Sequence, residues 1–213
     1  MKRIFIFVLL IIVSLIMFLF VYDFRSEQEH FFSTYHFTPS EIDSIQDGDI
    51  ILRHGFGFVS DMITKTLNEK YSLSHCGIIN KTPEKITVIH SVSQSLTFKD
   101  GVQEQNLDDF VKDSQENSII VVRYVNNHSK SNSAISNKAR YYLQKNIPFD
   151  NSFDIKDSSS IYCSELIWLV IKNEFNDDIF DLKTTDPKEL QKFKFFTDSP
   201  RFRQIINHPN RKK

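Results

Sequence analysis

Three residues of this 213-residue chain have the types and sequence surroundings that nucleophilic catalysis requires: Cys163, His75 and His90. Cys163 stands after the polar run "DSSS", at the start of the apolar stretch "YCSELIWLV". If a helix begins there, its dipole and its free backbone N–H groups favour a thiolate and a developing oxyanion. The same position also suits a small buried hydrophobic residue, because free cysteines are often buried. Position alone leaves both interpretations open.

A nucleophilic thiol needs a base within hydrogen-bond reach, and the base needs an orienting partner. His75 in "SLSHCGII" and His90 in "TVIHSV" lie on two predicted strands, which the turn segment "KTPEK" joins as a hairpin. Adjacent antiparallel strands can place such residues side by side on one face. A single histidine on a strand is more often only a polar residue with its hydrogen bonds satisfied. The hairpin gives these two histidines a geometric reason to be neighbours.

The second cysteine follows the first histidine directly. Strand alternation puts His75, Gly77 and Ile79 on one face of the strand, and Cys76 and Ile78 on the other. We therefore expect Cys76 to point away from His75 and to pack into the core. Gly77 leaves room for the close approach of another backbone or of a ligand. Two cysteines exclude a disulfide framework, but their number does not decide between one bridge and two free thiols.

The remaining patterns predict the elements that must hold these residues. A short strand is predicted at residues 50–53, and another in "SIIVVRYV", whose continuous apolar centre indicates burial on both faces. Helical spacing is present in "VSDMITKTLNEK", "SAISNKARYYLQKN" and "CSELIWLVIKNEF". "TDPKEL" predicts a short helix, and "KFKFFT" a late strand. The class is α+β, with a mostly antiparallel sheet flanked by helices.

Residues 4–22, "IFIFVLLIIVSLIMFLFVY", form an apolar run that only Ser14 interrupts. As a helix the run spans roughly 28 Å, close to the hydrocarbon core of a bilayer, and it is longer than a typical signal-peptide core. No A-x-A-like cleavage site follows it. We therefore expect an uncleaved transmembrane anchor, with a cleaved signal peptide and a secreted protein as the alternative. Lys2 and Arg3 precede the run, which predicts a cytoplasmic N-terminus and an extracytoplasmic domain.

The domain organisation follows from this segment. Residues 1–3 form the cytoplasmic N-terminus, 23–40 a juxtamembrane linker, 41–207 one globular domain and 208–213 a basic tail. The net charge of -1 provides no basic field for nucleic acid, so we expect no such partner. Neither CxxC nor HExxH occurs, so the usual zinc spacings are absent. The oligomeric state cannot be read from the sequence.

Five segments within residues 45–196, in chain order, resemble a known family: "DGDIILR", "SHCGII", "VIHS", "IPFDNSF" and "YCSELI". They are similar to the permuted papain-like cysteine amidases, the YiiX/YebB-like branch of the NlpC-type cysteine hydrolases. In ordinary papain-like enzymes the catalytic cysteine precedes the histidine, whereas here His75 precedes Cys163. A circular permutation of the same core explains this inversion. The resemblance implies a circularly permuted papain-like, NlpC-type fold.

Carried over by position, the resemblance implies Cys163 as nucleophile, His75 as general base and acid, and His90 as the third catalytic residue. This branch often has Glu at the third position, while many NlpC-type relatives have His. A neutral imidazole can fix the tautomer of His75, but it stabilises an imidazolium less than a carboxylate does. The implied reaction is acyl transfer through a covalent thioester, with one oxyanion donor from the backbone N–H of Cys163. It requires no metal or organic cofactor.

The expected substrate is a peptide or another amide, cell-wall peptides included, because NlpC-type relatives cut such bonds. Lipid acyl hydrolysis or transfer is the alternative, because other permuted relatives act on lipid acyl groups. Phe56 and Phe58 suit an acyl chain, although such aromatic residues are more often part of a core. Two readings from other classes are a non-catalytic binding module that keeps the fold, and a thiol metal site built from Cys163, His75 and His90.

Overall fold

The computed structural model describes residues 2–125 and 131–210. Within these residues six strands form one sheet, in the order β4-β3-β2-β1-β5-β6, and every neighbouring pair is antiparallel. The strands are β1 (Ile50–Arg53), β2 (His75–Lys81), β3 (Ile86–Val92), β4 (Gly101–Asn106), β5 (Ile120–Tyr124) and β6 (Phe202–Asn207). The sheet confirms the predicted α+β class and the predicted hairpin, which β2 and β3 form.

Helices lie before, between and after these strands. They are α1 (Lys2–Phe31), α2 (Pro39–Ser44), α3 (Phe58–Leu67), α4 (Leu107–Lys112), α5 (Ser133–Gln144), α6 (Cys163–Phe175) and α7 (Lys194–Thr197), with short 3-10 helices at Pro187–Glu189 and His208–Asn210. The predicted helices appear as α3, α5 and α6, and α6 begins at Cys163. The predicted short helix is the first 3-10 helix, whose N-cap Asp186 accepts a hydrogen bond from the backbone N–H of Lys188.

The prediction of a late strand at "KFKFFT" is wrong. Residues 194–197 form α7, and the alternation of Lys and Phe imitates a strand only locally. Phe193 and Phe196, three positions apart, are both buried, and the ring of Phe196 lies 5.5 Å from that of Phe202. Residues three apart share one helical face, so burial of this pair favours the helix. The last strand is β6, which the sequence analysis did not predict; β4 and α4 are also additions.

The sheet separates two hydrophobic clusters. Cys76 and Ile78 of β2 belong to the cluster beneath α5 and α6, whereas Ile79 belongs to the cluster that α4 covers with Phe110. Neighbouring residues of β5 also enter different clusters, and its centre is fully buried. This confirms the predicted burial of β5 on both faces. The sheet therefore presents one face to α6 and the other to α4. The candidate site forms between these helices at the N-terminal end of β2, where His75 lies.

Among the described residues, α1 is the one helix that is long and apolar enough to cross a membrane. Its span has a mean hydropathy of 3.5 and is not buried against the rest of the chain. A signal sequence near an N-terminus has the same properties. The helix continues beyond the apolar run to Phe31, so the first part of the predicted linker is helical. This helical extension brings α1 into contact with α3 of the globular domain.

Candidate active site

Cys163 is the first residue of α6, where polar chain gives way to a buried apolar helix. The backbone of Tyr162 is extended, and its N–H donates to Oε2 of Glu165 at 3.2 Å, which fixes the start of the helix. Loop residues before α6 are braced by Asp150, whose carboxylate accepts hydrogen bonds from Ser152 and from the backbone N–H of Asp154. These contacts hold the Cys163 side chain at the helix N-terminus.

His75 and His90 lie side by side on β2 and β3, as the hairpin geometry predicts. Nε2 of His75 is 2.8 Å from Nδ1 of His90, and the two rings meet edge to face. Phe110 of α4 packs against both rings, at centroid distances of 6.0 and 5.5 Å. If His75 Nε2–H donates and His90 Nδ1 accepts, Nδ1 of His75 is left unprotonated as a base. The other ring nitrogen of His90, Nε2, is buried and has no partner among the described residues.

Gly77 allows the two strands to bring these histidines together. A Cβ at Gly77 would lie 2.5 Å from Cγ1 of Val88 and 3.1 Å from Cβ of His90. The close approach that we expected at this glycine is therefore made by side chains of β3. A residue with a side chain at position 77 would push His90 away from β2 and so away from His75.

Arg53 gives the histidine pair a positive neighbour. It is the cross-strand partner of His75 in β1, and its guanidinium lies 4.1 Å from the centre of the Phe110 ring. Burial, then the charges of His90 and Arg53, hold the pKa of His75 well below 6.5. Burial and then Arg53 lower the pKa of His90 to about 3. Both imidazoles are therefore neutral near pH 7, and His75 is available as a base.

Cys76 is fully buried in the cluster beneath α6, which confirms that it packs into the core. Helix α6 packs on the same face of β2 and brings Cys163 beside Cys76. The Cys76 thiol, with backbone N–H groups of Cys76 and Ser164, lowers the pKa of Cys163 despite its burial. Burial and the neighbouring Cys163 raise the pKa of Cys76 well above its usual value. Both cysteines are free thiols.

Cys163 and His75 open into one cavity of about 700 Å³. In the part of the chain that the structure describes, no hydrogen bond joins the Cys163 and His75 side chains, and His75 contacts His90 instead. Most of the remaining wall is apolar, with aromatic and aliphatic side chains that include Phe56, Phe58, Met62, Leu96, Phe149 and Phe153. Phe56 and Phe58 thus line the cavity and are not part of either core cluster.

Glu165 does not line this cavity; it accepts a hydrogen bond from the backbone N–H of Tyr162 at the start of α6. Its side chain is fully buried, and burial, opposed by the hydrogen bond from Tyr162, raises the pKa of Glu165 to about 8. Its Oε1 atom has no partner within the described residues. The group is therefore mostly protonated at pH 7.

The fold agrees with comparisons against known proteins. Residues 44–201 match the family of permuted papain-like amidase enzymes, YaeF/YiiX, C92. The chain belongs to this family. A solved structure described as the metalloprotein yiiX from Escherichia coli O157:H7 is 20% identical, covers 77% of this chain and 98% of its own, and superposes with a TM-score of 0.55. No curated protein matches the chain.

Membership of the YaeF/YiiX family confirms the circularly permuted papain-like fold and gives the chain the class of an amidase or related hydrolase. The 20% identity to yiiX supports the fold alone. That protein is described as a metalloprotein, but the described residues of this chain contain no group of three His, Cys, Asp or Glu side chains placed to hold a metal ion. Cys163, His75 and His90 are thus not placed together as three ligands within the described residues.

Proposed function

We propose that this protein is a membrane-anchored cysteine hydrolase that cleaves amide bonds, peptide bonds among them, through Cys163, His75 and His90. Family membership supports amide hydrolysis as the reaction class. The observation that carries the proposal is the placement of two chemically matched groups in one cavity. Cys163 has a lowered pKa at a helix N-terminus, and neutral His75 is held by His90. These are the properties that a nucleophile and a general base require.

In the proposed reaction, the Cys163 thiol gives its proton to the unprotonated ring nitrogen of His75. The thiolate attacks the amide carbonyl, and the backbone N–H of Cys163 donates to the oxygen that becomes negative. His75 then protonates the leaving amine as the C–N bond breaks, which leaves a thioester on Cys163. Water, deprotonated by His75, attacks the thioester; the C–S bond breaks, the acid leaves, and His75 returns the proton to the Cys163 thiolate.

The role of His90 in this reaction is to accept a hydrogen bond from Nε2 of His75. This contact keeps the proton off the other ring nitrogen, which must be free to receive the proton of the thiol. Because His90 is a neutral imidazole, it stabilises the imidazolium of His75 less than a carboxylate would. Arg53 disfavours the same imidazolium. Proton transfer to His75 is therefore expected to be transient.

A second candidate is hydrolysis or transfer of a lipid acyl group by the same residues. The apolar wall of the cavity favours it, because Phe56 and Phe58 would contact an acyl chain. A non-catalytic binding module is a third reading. Amide hydrolysis and lipid acyl hydrolysis both predict a covalent acyl-Cys163 intermediate, with different acyl groups. The binding module predicts no such intermediate.

The test uses the full chain purified in detergent, with the Cys163→Ser variant and a Cys76→Ser variant as its matched thiol control. Each is incubated with fluorogenic peptide amides and with fatty-acyl amides and esters, and trapped intermediates are identified by mass spectrometry. We expect turnover by wild type and Cys76→Ser and none by Cys163→Ser. Acylation of Cys163 by fatty-acyl compounds alone would favour the lipid reaction. No turnover and no acyl-enzyme with any compound would favour the binding module.

The membrane part of the proposal is that α1 stays attached, with its N-terminus in the cytoplasm and the hydrolase domain outside. The length and hydropathy of the apolar run support it, as do the basic residues before the run. Alkaline carbonate extraction and protease protection of cells producing the full chain test it. A soluble protein whose mature N-terminus begins after the apolar run would support the cleaved signal peptide instead.

A further inference from the structure

The helical extension of α1 is fastened to the catalytic domain at the start of α3. Tyr22 donates a hydrogen bond from Oη to Asp61 of α3, and Oγ of Ser26 accepts one from the backbone N–H of Gly57 at 2.7 Å. The ring of Tyr22 also meets the ring of Phe58 edge to face, with centroids 5.9 Å apart. Because α1 is one uninterrupted helix, these contacts fix α3 relative to the apolar segment.

The contacts of His30, farther along α1, determine which way the domain faces. Nε2 of His30 is 2.6 Å from Oδ1 of Asp113, and the His30 ring lies against Phe56. His30 lies roughly 12 Å beyond Tyr22 along the helix axis, on the side away from the apolar run. Tyrosine at the end of a membrane span is typical of the lipid–water interface. The start of α3 is therefore held beside that interface, and Asp113 is held farther from it.

The face that α3 turns outward at this level is apolar. Phe58, Val59 and Met62 are 36%, 44% and 45% exposed, and α3 has no fully buried residue. These side chains also line the cavity that contains Cys163. Lys65 is exposed two helical turns after Phe58, where its ammonium group can reach lipid phosphates while its stem covers apolar surface.

We propose that α3 is a second membrane contact of this protein, with Phe58, Val59 and Met62 seated in the bilayer surface beside the anchor. The occupant of this apolar face is lipid, because the contacts of Tyr22, Ser26 and His30 place the face at the level where the membrane span ends. The mouth of the cavity then opens at the bilayer surface, and substrates reach Cys163 from there. This inference rests on the membrane anchor of the proposed function, but not on the catalytic reaction.

The test places a tryptophan on the proposed contact in the full chain. Met62→Trp and, as a matched control, Tyr141→Trp are reconstituted into vesicles whose lipids carry bromine near the carbonyl end of the acyl chains. Tyr141 lies on α5 and is 48% exposed, close to the 45% of Met62. Native Trp168 is buried, and its signal is measured in the unsubstituted chain and subtracted. Val59→Trp serves as a second reporter on the same face.

Bromine quenches tryptophan only at short range, so we expect the added emission at position 62 or 59 to fall about twofold, as for an interfacial helix. The emission at position 141 should not change. Two controls accompany the measurement: the chains must float with the vesicles, and their Cys163 must still be alkylated. Equal quenching at the α3 and α5 positions in such chains would overturn the inference and leave the anchor and the site intact. Chains that do not float would overturn the anchor and this inference together.

Discussion

Cys163 of α6 lies beside Cys76 of β2, where the two elements pack together. Cys76 directly follows the proposed base, His75, yet its side chain lies on the opposite face of the strand. The lowered pKa of Cys163 comes first from Cys76 and then from backbone N–H groups. His75 does not contribute to it, and burial lowers the pKa of His75 itself. For the proposed reaction, these pKa directions predict a resting site with a neutral His75 beside an activated Cys163, and not a preformed ion pair.

This arrangement predicts how the alkylation of Cys163 responds to substitutions. We expect iodoacetamide to modify Cys163 with a midpoint below the free-thiol pKa of about 8.5, and His75→Ala to leave most of that shift in place. Cys76→Ala should move the midpoint upward, because the largest stabilising contact of the thiolate is lost. Alkylation rates against pH, followed by mass spectrometry, measure both effects. A shift that disappears in His75→Ala and persists in Cys76→Ala would show an ion pair instead.

Substitutions in the histidine pair should affect turnover in a graded manner. His75→Ala should lower kcat by roughly 10²–10⁴, the usual contribution of a general base. His90→Asn should retain more activity than His90→Ala, because the Asn oxygen can accept the hydrogen bond from Nε2 of His75. Steady-state kinetics with an amide that the proposed screen shows to be turned over provide the comparison. Equal activity of the two His90 variants would contradict a positioning role for the hydrogen bond.

Removing the charge at Arg53 should move the acid limb of the pH–rate profile to higher pH. The reaction needs neutral His75, so the rate falls when the pH drops through the pKa of His75, which Arg53 helps to hold low. Arg53→Met should therefore lose activity at a higher pH than wild type does. Arg201→Met is the control, because Arg201 pairs with Asp177 and Asp181, outside the cavity. An unmoved limb in Arg53→Met would show that the charge does not reach His75.

Burial of Glu165 should make the protein less stable at alkaline pH. Its pKa rises from 4.5 to about 8 in the folded chain, so the unfolded chain binds fewer protons between these values. The stabilising contribution is complete below pH 4.5 and is lost as the pH rises through 8. Glu165→Gln should flatten this decline in denaturant unfolding measured from pH 5 to about 9. Glu116→Gln, at an exposed position, is the control and should match wild type.

A methyl group at Gly77 should separate the two histidine strands. Gly77→Ala places Cβ against Val88 and His90, and such overpacking costs roughly 1–3 kcal/mol of the free energy of unfolding. Activity should fall as well, because His90 must shift. In the double variant with Val88→Ala, the nearest clash is removed, so the two costs should not add. Additive losses in urea unfolding would mean that Gly77 and Val88 do not compete for the same space.

The parts of the site that the sequence predicts are those that local geometry determines. The turn between β2 and β3 sets which positions of the hairpin meet, so the contact of His75 with His90 follows from the chain itself. The start of α6 at Cys163 follows from the abrupt change from polar to apolar residues. In both cases the decisive neighbours are close in sequence or belong to one hairpin.

What the sequence does not reveal depends on packing between distant segments. Alternation shows that Cys76 faces the core, but not that α6 brings Cys163 to that face. "KFKFFT" has the period of a strand, and only the burial of Phe193 and Phe196 decides for a helix. The polar strand β4, "GVQEQN", lacks an apolar pattern because it is the edge of the sheet. The docking of α1 on α3 likewise depends on contacts between separate elements.

The late position of α6 in the permuted chain has a consequence for biogenesis. The ribosome adds about 5–20 residues each second, so the hairpin with both histidines emerges several seconds before Cys163. That hairpin is a local structure and can pair as soon as its own residues are available. The thiol is synthesised last and becomes activated only when α6 docks against Cys76 of β2. If the proposed reaction is correct, a nascent chain carries the base before the nucleophile, and hydrolysis cannot begin until α6 has been made and has docked on β2.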